Sequence, residues 1–114
     1  MLARVQRMRA PAEFRETSRR GSRNGTRSVI VHVLRIPAGE PTRVGFVVSK
    51  AVGNAVVRNL VKRRLREIVA QLLPRLQAPV HIVVRAKPAA AGCTFPHLSD
   101  DVESALHRAG VLGS

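Results

Sequence analysis

Aromatic residues are the scarcest feature of this 114-residue sequence, which contains three phenylalanines and neither tryptophan nor tyrosine. Modules that read single-stranded RNA usually stack its bases on several exposed aromatic side chains, so a module of that kind is not expected. The one cysteine, Cys93, excludes an internal disulfide framework and fits a reducing compartment. No apolar run approaches the roughly 20 residues that a membrane-spanning helix needs. We therefore expect a cytoplasmic protein that does not span a membrane.

Acidic residues are also few. Seven of them oppose 20 lysines and arginines, which leaves a formal net charge of +13 at pH 7. Such a chain repels itself and favours a polyanionic partner, with nucleic acid the first candidate and an anionic membrane surface the second. The N-terminal third is basic in its own right, and we predict an additional basic surface there formed by Arg7, Arg9, Arg19, Arg20 and Arg23.

The apolar pattern predicts one small α+β domain over residues 1–114, with a basic and mobile arm at residues 1–10. A short helix is expected over Pro11–Arg20, because Pro11 suits a first turn and Gly21 suits an end. Segments rich in β-branched residues predict strands at 28–36, 43–49 and 80–86. We expect the first two strands to pair antiparallel, and Asn24-Gly25 to mark a turn before them.

Two further helices are predicted, one from about Ala55 to Leu73 and one from about Ser99. Asn54 is a suitable N-cap for the first helix. A strand, a helix and another strand in succession imply parallel neighbours in one sheet, with the helices mostly on one side of it. The acidic residues early in the last helix are expected to complement its positive N-terminal end: Asp100, Asp101 and Glu103.

The helix within GNAVVRNLVKRRLRE (53–67) has two distinct faces at about 100° per residue. The apolar face, which we expect to pack on the sheet, consists of Val57, Val61, Leu65, Ile68 and Leu72. The basic arc consists of Arg58, Asn59, Lys62, Arg63 and Arg66. Like charges one turn apart destabilise a helix by a few tenths of a kcal/mol each, which a merely solvated surface avoids by mixing signs. The arc therefore favours binding to structured RNA over an incidental basic face.

Three motifs carry a family resemblance: VGFVVSK (44–50), GNAVVRN (53–59) and KRRLRE (62–67). Together they closely resemble the signature of the protein subunit of bacterial ribonuclease P. The agreement extends over roughly Arg7 to Arg108 and includes Phe14 in AEF and the strand SVIVHVL. The resemblance implies one mixed sheet of about four strands in the order α-β-β-β-α-β-α, similar to the second domain of ribosomal protein S5.

The resemblance also implies a division of labour between protein and RNA. In that family a large RNA carries out the magnesium-dependent hydrolysis that frees the 5′ leader of precursor tRNA. The small protein binds ribonuclease P RNA through its basic helix and contacts the leader in a cleft between sheet and helix. We accordingly expect a monomer, one per catalytic RNA, with no catalytic residue and no cofactor of its own, and with Mg²⁺ reaching the holoenzyme through the RNA.

The matching positions give a set of expected site residues. Phe14 and His32 would line the leader cleft. Leu60, Ser18 and His32 depart from the residue types common in the family, which implies thinner leader contacts and a weaker end of the basic arc. The residues expected to bind ribonuclease P RNA are Lys50, Asn54, Arg58, Asn59, Lys62, Arg63 and Arg66.

Other functions stay open at this point. A general structured-RNA-binding or ribosomal protein would share the basic helix. A DNA-binding protein would need a dimer symmetry that the sequence does not reveal. A nuclease acting without RNA would need an acid–base set, and neither a Ser-His-acid nor a paired-carboxylate constellation is evident. The histidines lack the spacing of a metal site.

Overall fold

The structure, a computed structural model, describes residue 2 and residues 6–113. Three helices are α1 (Pro11–Arg20), α2 (Ala55–Leu72) and α3 (Phe95–Arg108). Four strands are β1 (Ser22–Gly25), β2 (Val29–Arg35), β3 (Arg43–Val47) and β4 (Val80–Ala86). Short 3₁₀ turns follow α2 and precede α3, at Leu73–Arg75 and Pro88–Gly92.

The four strands form one mixed sheet in the order β1-β2-β4-β3. The expected parallel pairing across the strand–helix–strand unit is confirmed, because β3 lies parallel to β4. The expected antiparallel pairing of the strands at 28–36 and 43–49 is wrong, because β4 lies between them and pairs antiparallel with β2. The reason is burial: five of the seven residues of β4 are buried. A strand with this many buried residues, including Val83 on the face that points away from α2, is most stable in the middle of the sheet.

The predicted turn around Asn24-Gly25 is also corrected. Ser22–Gly25 is itself an edge strand that pairs antiparallel with β2. The chain reverses one step later, where the backbone N–H of Thr26 donates to the carbonyl of Val29 at 2.8 Å.

The sheet has two unlike faces. On one side, which we call the core face, Val31 and Val84 point toward α2 and α3. The opposite side, which we call the α1 face, carries His32, Val83 and Gly45. As predicted, Val61, Leu65, Ile68 and Leu72 are buried in α2, together with Val69, while Val57 is half-buried. Two of the three helices therefore pack on the core face, and α1 packs across β2 and β4 on the other.

Local signals explain where α2 begins. The Asn54 side chain accepts a hydrogen bond from the backbone N–H of Val57 at 3.0 Å, as expected of an N-cap. The residue before Asn54 is Gly53, and a side chain at this position would clash with α2, because its Cβ would lie 2.9 Å from the Cβ of Val57. The end of the turn that leads from β3 into α2 thus depends on the absence of a side chain at Gly53 and on the polar side chain of Asn54.

The last helix begins four residues earlier than predicted, at Phe95. Thr94 caps it by accepting from the N–H of His97 at 3.3 Å, and Pro96 fits the first turn, where no N–H partner is needed. The first turn therefore contains no acidic residue, and the expected dipole role of Asp100, Asp101 and Glu103 is wrong. Instead, Asp101 accepts from the buried Ser28 hydroxyl at 2.5 Å, and Glu103 pairs with Arg75 at 3.1 Å.

Part of the predicted mobile arm lies outside the described residues, namely 1 and 3–5. Leu2 is buried in the core, and Met8 is buried on the α1 face. The backbone N–H of Met8 donates to the carbonyl of Val44 at 2.9 Å, and Arg7 bridges to the same residue, so this segment runs along the free edge of β3. The mobility of the arm as a whole stays a prediction.

Candidate nucleic-acid interface

The predicted RNA-binding residues share one outer surface because Leu65 and its buried neighbours fix the rotation of α2. Exposed members of the set are Lys50, Asn54, Asn59, Arg63 and Arg66, while Arg58 and Lys62 are half-buried. Lys50 lies in the turn before α2, where its carbonyl accepts from the N–H of Gly53 at 3.2 Å. The structure therefore brings these residues onto one helix and the turn that leads into it.

The charge of this arc is not neutralised within the described part of the chain. Glu67, the one acid among the cations, is bonded to Gln71 at 3.4 Å. The ion pairs among the described residues lie elsewhere and use Glu13, Glu16 and Glu103. Arg58 has a buried Nε with no hydrogen-bond partner among those residues. An uncompensated cationic surface of this kind suits a phosphate backbone.

A small cavity of about 140 Å³ joins this surface to the α1 face at the free edge of β3. We call it the edge cavity, and its lining includes Arg7, Met8, Phe14, Gly45, Lys62 and Arg66. The Phe14 ring packs directly over Gly45, since a Cβ at Gly45 would lie 2.5 Å from Cζ of Phe14. The cavity thereby places a predicted leader-cleft residue beside two predicted RNA-binding cations.

His32, the other predicted leader-cleft residue, lies apart from the edge cavity. In the sheet His32 pairs with Val83 of β4, and Val83 pairs with Gly45 of β3. His32 is therefore two strand spacings, each roughly 4.8 Å, away from Gly45, over which Phe14 packs. The side chain of His32 is 8% exposed. Burial lowers the pKa of His32, and the positive charges of Arg85 and Arg23 lower that pKa further. The ring is therefore held neutral under the α1 layer.

The additional basic residues are distributed over several elements, and the surface they were predicted to form stays a prediction. Arg7 lines the edge cavity, whereas Arg9, Arg19 and Arg23 are exposed at other places. Arg20 is paired with Glu16 at 2.5 Å, a pairing between exposed side chains that contributes little stability but reduces the local charge. Arg7 lies beside β3, Arg9 lies just before α1, Arg19 and Arg20 lie in the last turn of α1, and Arg23 lies on β1.

Two residues of this region were not expected from the sequence. Met8 covers the edge cavity beside Phe14, and no local pattern could assign a methionine in a basic segment to that position. Arg85 is exposed next to His32. Strand alternation could have found it, because it follows Val83 by two residues on the same face.

A larger cavity of about 640 Å³ lies elsewhere, near the start of α3. Its lining includes Arg27, Cys93, His97, Asp100 and Asp101. Two carboxylates repel phosphate, so this cavity is a poorer candidate for a nucleic-acid surface than α2 is. Within residues 2 and 6–113, no group of three histidine, cysteine or acidic side chains is arranged to hold a metal ion. The same residues include no helix of the length and hydropathy that crossing a membrane requires.

Comparison with known proteins decides the family. The family model described as Ribonuclease P matches residues 2–110. The chain belongs to the ribonuclease P protein family. The ribonuclease P protein component of Pseudarthrobacter chlorophenolicus is 53% identical over 106 residues, which cover 93% of this chain and 78% of the relative. That of a Nocardioides species is 47% identical over 113 residues, covering 97% of each.

The fold agrees with solved ribonuclease P proteins. One of them, a mutant of the Staphylococcus aureus protein with defective mRNA degradation activity, superposes with a TM-score of 0.86 at 29% identity. The match covers 95% of this chain and 91% of the staphylococcal one. The expected ribosomal-S5-like α+β arrangement of one mixed four-stranded sheet and three helices is thus confirmed as the ribonuclease P protein fold. Family membership makes this chain the accessory protein subunit of the ribonuclease P endoribonuclease, with RNA binding and tRNA processing as its function.

Proposed function

We propose that this subunit binds ribonuclease P RNA through the cationic arc of α2 and binds the 5′ leader of precursor tRNA on its α1 face. One monomer would serve one catalytic RNA in the cytoplasm. The observation that carries the proposal is the uncompensated positive arc on α2, which the edge cavity connects to Phe14. A single-sign surface joined to an apolar platform suits a partner that combines phosphates with unpaired bases.

The protein acts by electrostatics and positioning in this proposal, and none of its residues takes part in bond breaking. Hydrolysis belongs to the RNA, with Mg²⁺ bound there supplying charge neutralisation and an activated water. The cations of α2 neutralise RNA phosphates and release counterions, so the holoenzyme needs less free magnesium than the RNA alone. The leader contact adds affinity for precursor over mature tRNA.

The test is cleavage of a precursor tRNA by a bacterial ribonuclease P RNA at low magnesium, with and without this protein. We expect strong stimulation by the protein and no release of the leader when the RNA is omitted. Binding to RNA without stimulation would favour the alternative of a general structured-RNA-binding or ribosomal protein. A reaction containing an mRNA and the protein alone tests for the degradation activity that is named for the staphylococcal protein.

A further inference from the structure

We infer that Val56 and Leu60 of α2 form an apolar contact for one unpaired base of ribonuclease P RNA. We call these two side chains the apolar pair. The inference rests on the proposed function and deepens it, because it gives α2 a second kind of contact beside the neutralisation of phosphates. An apolar contact releases no counterions, so it adds affinity that rising salt does not remove.

Val56 is an exception among the large apolar residues of this chain. It is 78% exposed, and it is the one large apolar residue left exposed among residues 2 and 6–113. The others in that part of the chain are buried or half-buried. Removing an apolar side chain from water is favourable, so a partner that binds α2 gains affinity by covering Val56.

Helix geometry places the apolar pair at the centre of the outer surface of α2. Val56 and Leu60 are four residues apart, so they lie about 40° from each other around the helix axis. Val56 points about 180° away from Leu65, which is fully buried in the core. Leu60 is half-buried on the same outer side. The two aliphatic side chains thus form one small apolar area that faces away from the core.

The charges around the apolar pair identify a polyanion as its partner. Arg63 lies on the same side of α2, three residues after Leu60, and is exposed. Asn59 is exposed beside it, with an amide that can donate to a phosphate or to a base edge. A second copy of this chain would bring two cationic arcs into contact, and like charges repel. RNA therefore covers this area better than a dimer does.

The chemistry of the contact requires an unpaired base. Within a double helix the faces of the bases are covered by stacking, and they become available in loops and bulges. The face of a base is apolar, and α2 contains no aromatic residue on which it could stack. The apolar pair offers two aliphatic side chains in place of a ring, and such side chains also pack against bases. Leu60 thereby exchanges the phosphate contact of a common family cation for contact with a base.

The partner is the catalytic RNA and not the substrate leader. The edge cavity, which joins α2 to the α1 face, is lined by neither Val56 nor Leu60. The apolar pair instead lies beside Asn59 and Arg63, on the surface proposed for ribonuclease P RNA. Successive residues of α2 point about 100° apart, so one helix can present different side chains to two RNAs.

The first experiment measures equilibrium binding of the protein to a bacterial ribonuclease P RNA over a range of salt concentrations. Val56→Ala should weaken binding by about 5- to 10-fold at every concentration and leave the slope of log affinity against log salt unchanged. Val56→Thr, which keeps the shape but replaces a methyl group with a hydroxyl, should also weaken binding. Because Val56 is exposed, neither change removes a core contact. Ala91→Ser, at an exposed position outside α2, is the control and should bind as wild type does.

Charged variants of α2 provide the contrast. Arg63→Ala should flatten the salt slope by about one unit, because it removes a phosphate contact. Leu60→Arg, which introduces the common family cation, should steepen the slope by about one unit and bind less tightly than wild type at high salt.

The second experiment locates the base. Ribonuclease P RNAs with a single abasic nucleotide at successive unpaired positions should include one that weakens binding of wild type and on which Val56→Ala has no further effect. Coupling of this kind between two changes shows that they remove the same contact.

The inference is overturned if Val56→Ala binds as tightly as wild type, if its salt slope changes, or if no abasic position removes its effect. A loss of affinity seen only with precursor tRNA would also overturn it, because the apolar pair would then contact the substrate. Failure of the proposed function is recognised separately, because wild type would then bind ribonuclease P RNA no more tightly than an unrelated structured RNA of the same length.

Discussion

The two faces of the sheet use their buried groups in different ways. On the core face, β2 and β4 pack valine and isoleucine against Leu65 and Ile68 of α2. On the α1 face, the covered layer includes Thr17 and His32, whose Oγ1 and Nδ1 are buried without a hydrogen-bond partner among the described residues. Unpaired polar groups lower stability, so the α1 face is the weaker side of the molecule.

This difference indicates where stability and recognition are located. The core face is a continuous apolar layer that fixes the rotation of α2 and thereby determines which way its cationic side chains point. The α1 face combines a thin apolar layer, a neutral histidine and the exposed cations Arg23 and Arg85. In the proposed function this face binds the leader, whose phosphates need such exposed cations. We therefore expect substitutions on the core face to act on folding and those on the α1 face to act mainly on leader binding.

Leu65→Ala should give the largest effect. Leu65 is fully buried, and its truncation leaves a cavity that lowers the free energy of unfolding by roughly 2–5 kcal/mol. Phe14 is half-buried, so Phe14→Ala should lower the free energy of unfolding less than Leu65→Ala does. It should weaken precursor binding more than Leu65→Ala does. Chemical denaturation of both variants, together with precursor binding, measures the contrast. An unchanged unfolding midpoint for Leu65→Ala would mean that α2 is not anchored by this face.

Gly45→Ala should have an intermediate effect and act on the α1 face alone. The new Cβ would lie 2.5 Å from Cζ of Phe14 and 3.1 Å from Sδ of Met8, so the ring must swing away from the sheet. Overpacking of this kind lowers stability by about 1–3 kcal/mol, and movement of a ring end keeps the loss near the lower limit. We expect leader-dependent affinity to fall while affinity for ribonuclease P RNA is retained. Gly25→Ala, with no atom near the added Cβ, is the matched control. Equal precursor binding by the two variants would contradict a role for the Phe14 ring in this position.

The parts of the fold that sequence predicts well are those set by local chemistry. The apolar face of α2 follows from its 3.6-residue period, and its start follows from the Asn54 side chain. The strand order does not follow, because adjacency in sequence favours pairing β2 with β3, whereas β4, with five of its seven residues buried, lies between them. The start of α3 does not follow either, because a proline suits a loop as well as the first turn of a helix, and Pro96 occupies a first turn.

The site shows the same division. The motif around Arg58 and Lys62 identifies a basic helix, because charge and spacing are local properties. That Lys62 meets Phe14 across the edge of β3 is a consequence of tertiary packing, and no pattern in the sequence contains it. His32 was expected in the leader cleft, and the structure places it on the same face as Phe14 but in a different environment. Its role toward the leader stays a prediction.

Thr17→Val should produce a smaller change of opposite sign. The Thr17 side chain is fully buried, and its hydroxyl has no partner within the described chain, so replacing that hydroxyl with a methyl group removes a desolvation penalty. We expect the free energy of unfolding to rise by about 1 kcal/mol. Thermal unfolding of Thr17→Val beside Thr17→Ala, which adds a cavity, measures it. A loss of stability with valine would show that the hydroxyl is satisfied in solution and that the α1 face is not the weaker side.

The smallest expected effect is the contribution of His32, on the α1 face, to the pH dependence of the free energy of unfolding. Burial, and then Arg85 and Arg23, lower the pKa of His32 below its ordinary value of 6.5. The unfolded chain therefore takes up a proton as pH falls through about 6.5, while the folded chain does not until its own lower pKa is reached. The contribution of His32 to stability is complete above pH 6.5 and is lost as pH falls below it.

Urea denaturation of wild type and His32→Gln at each pH between 8 and 5 measures the contribution of His32 to the free energy of unfolding. The chain has four histidines, and the other three are present in both proteins, so the difference between the two curves reports His32. We expect wild type to lose more stability than the variant below pH 6.5 and the two curves to run parallel above it. Curves that stay parallel down to pH 5 would mean that the imidazole can accept a proton in place. The α1 face would then be open to solvent at His32, and the contrast with the dry core face would be larger than the burial of this residue indicates.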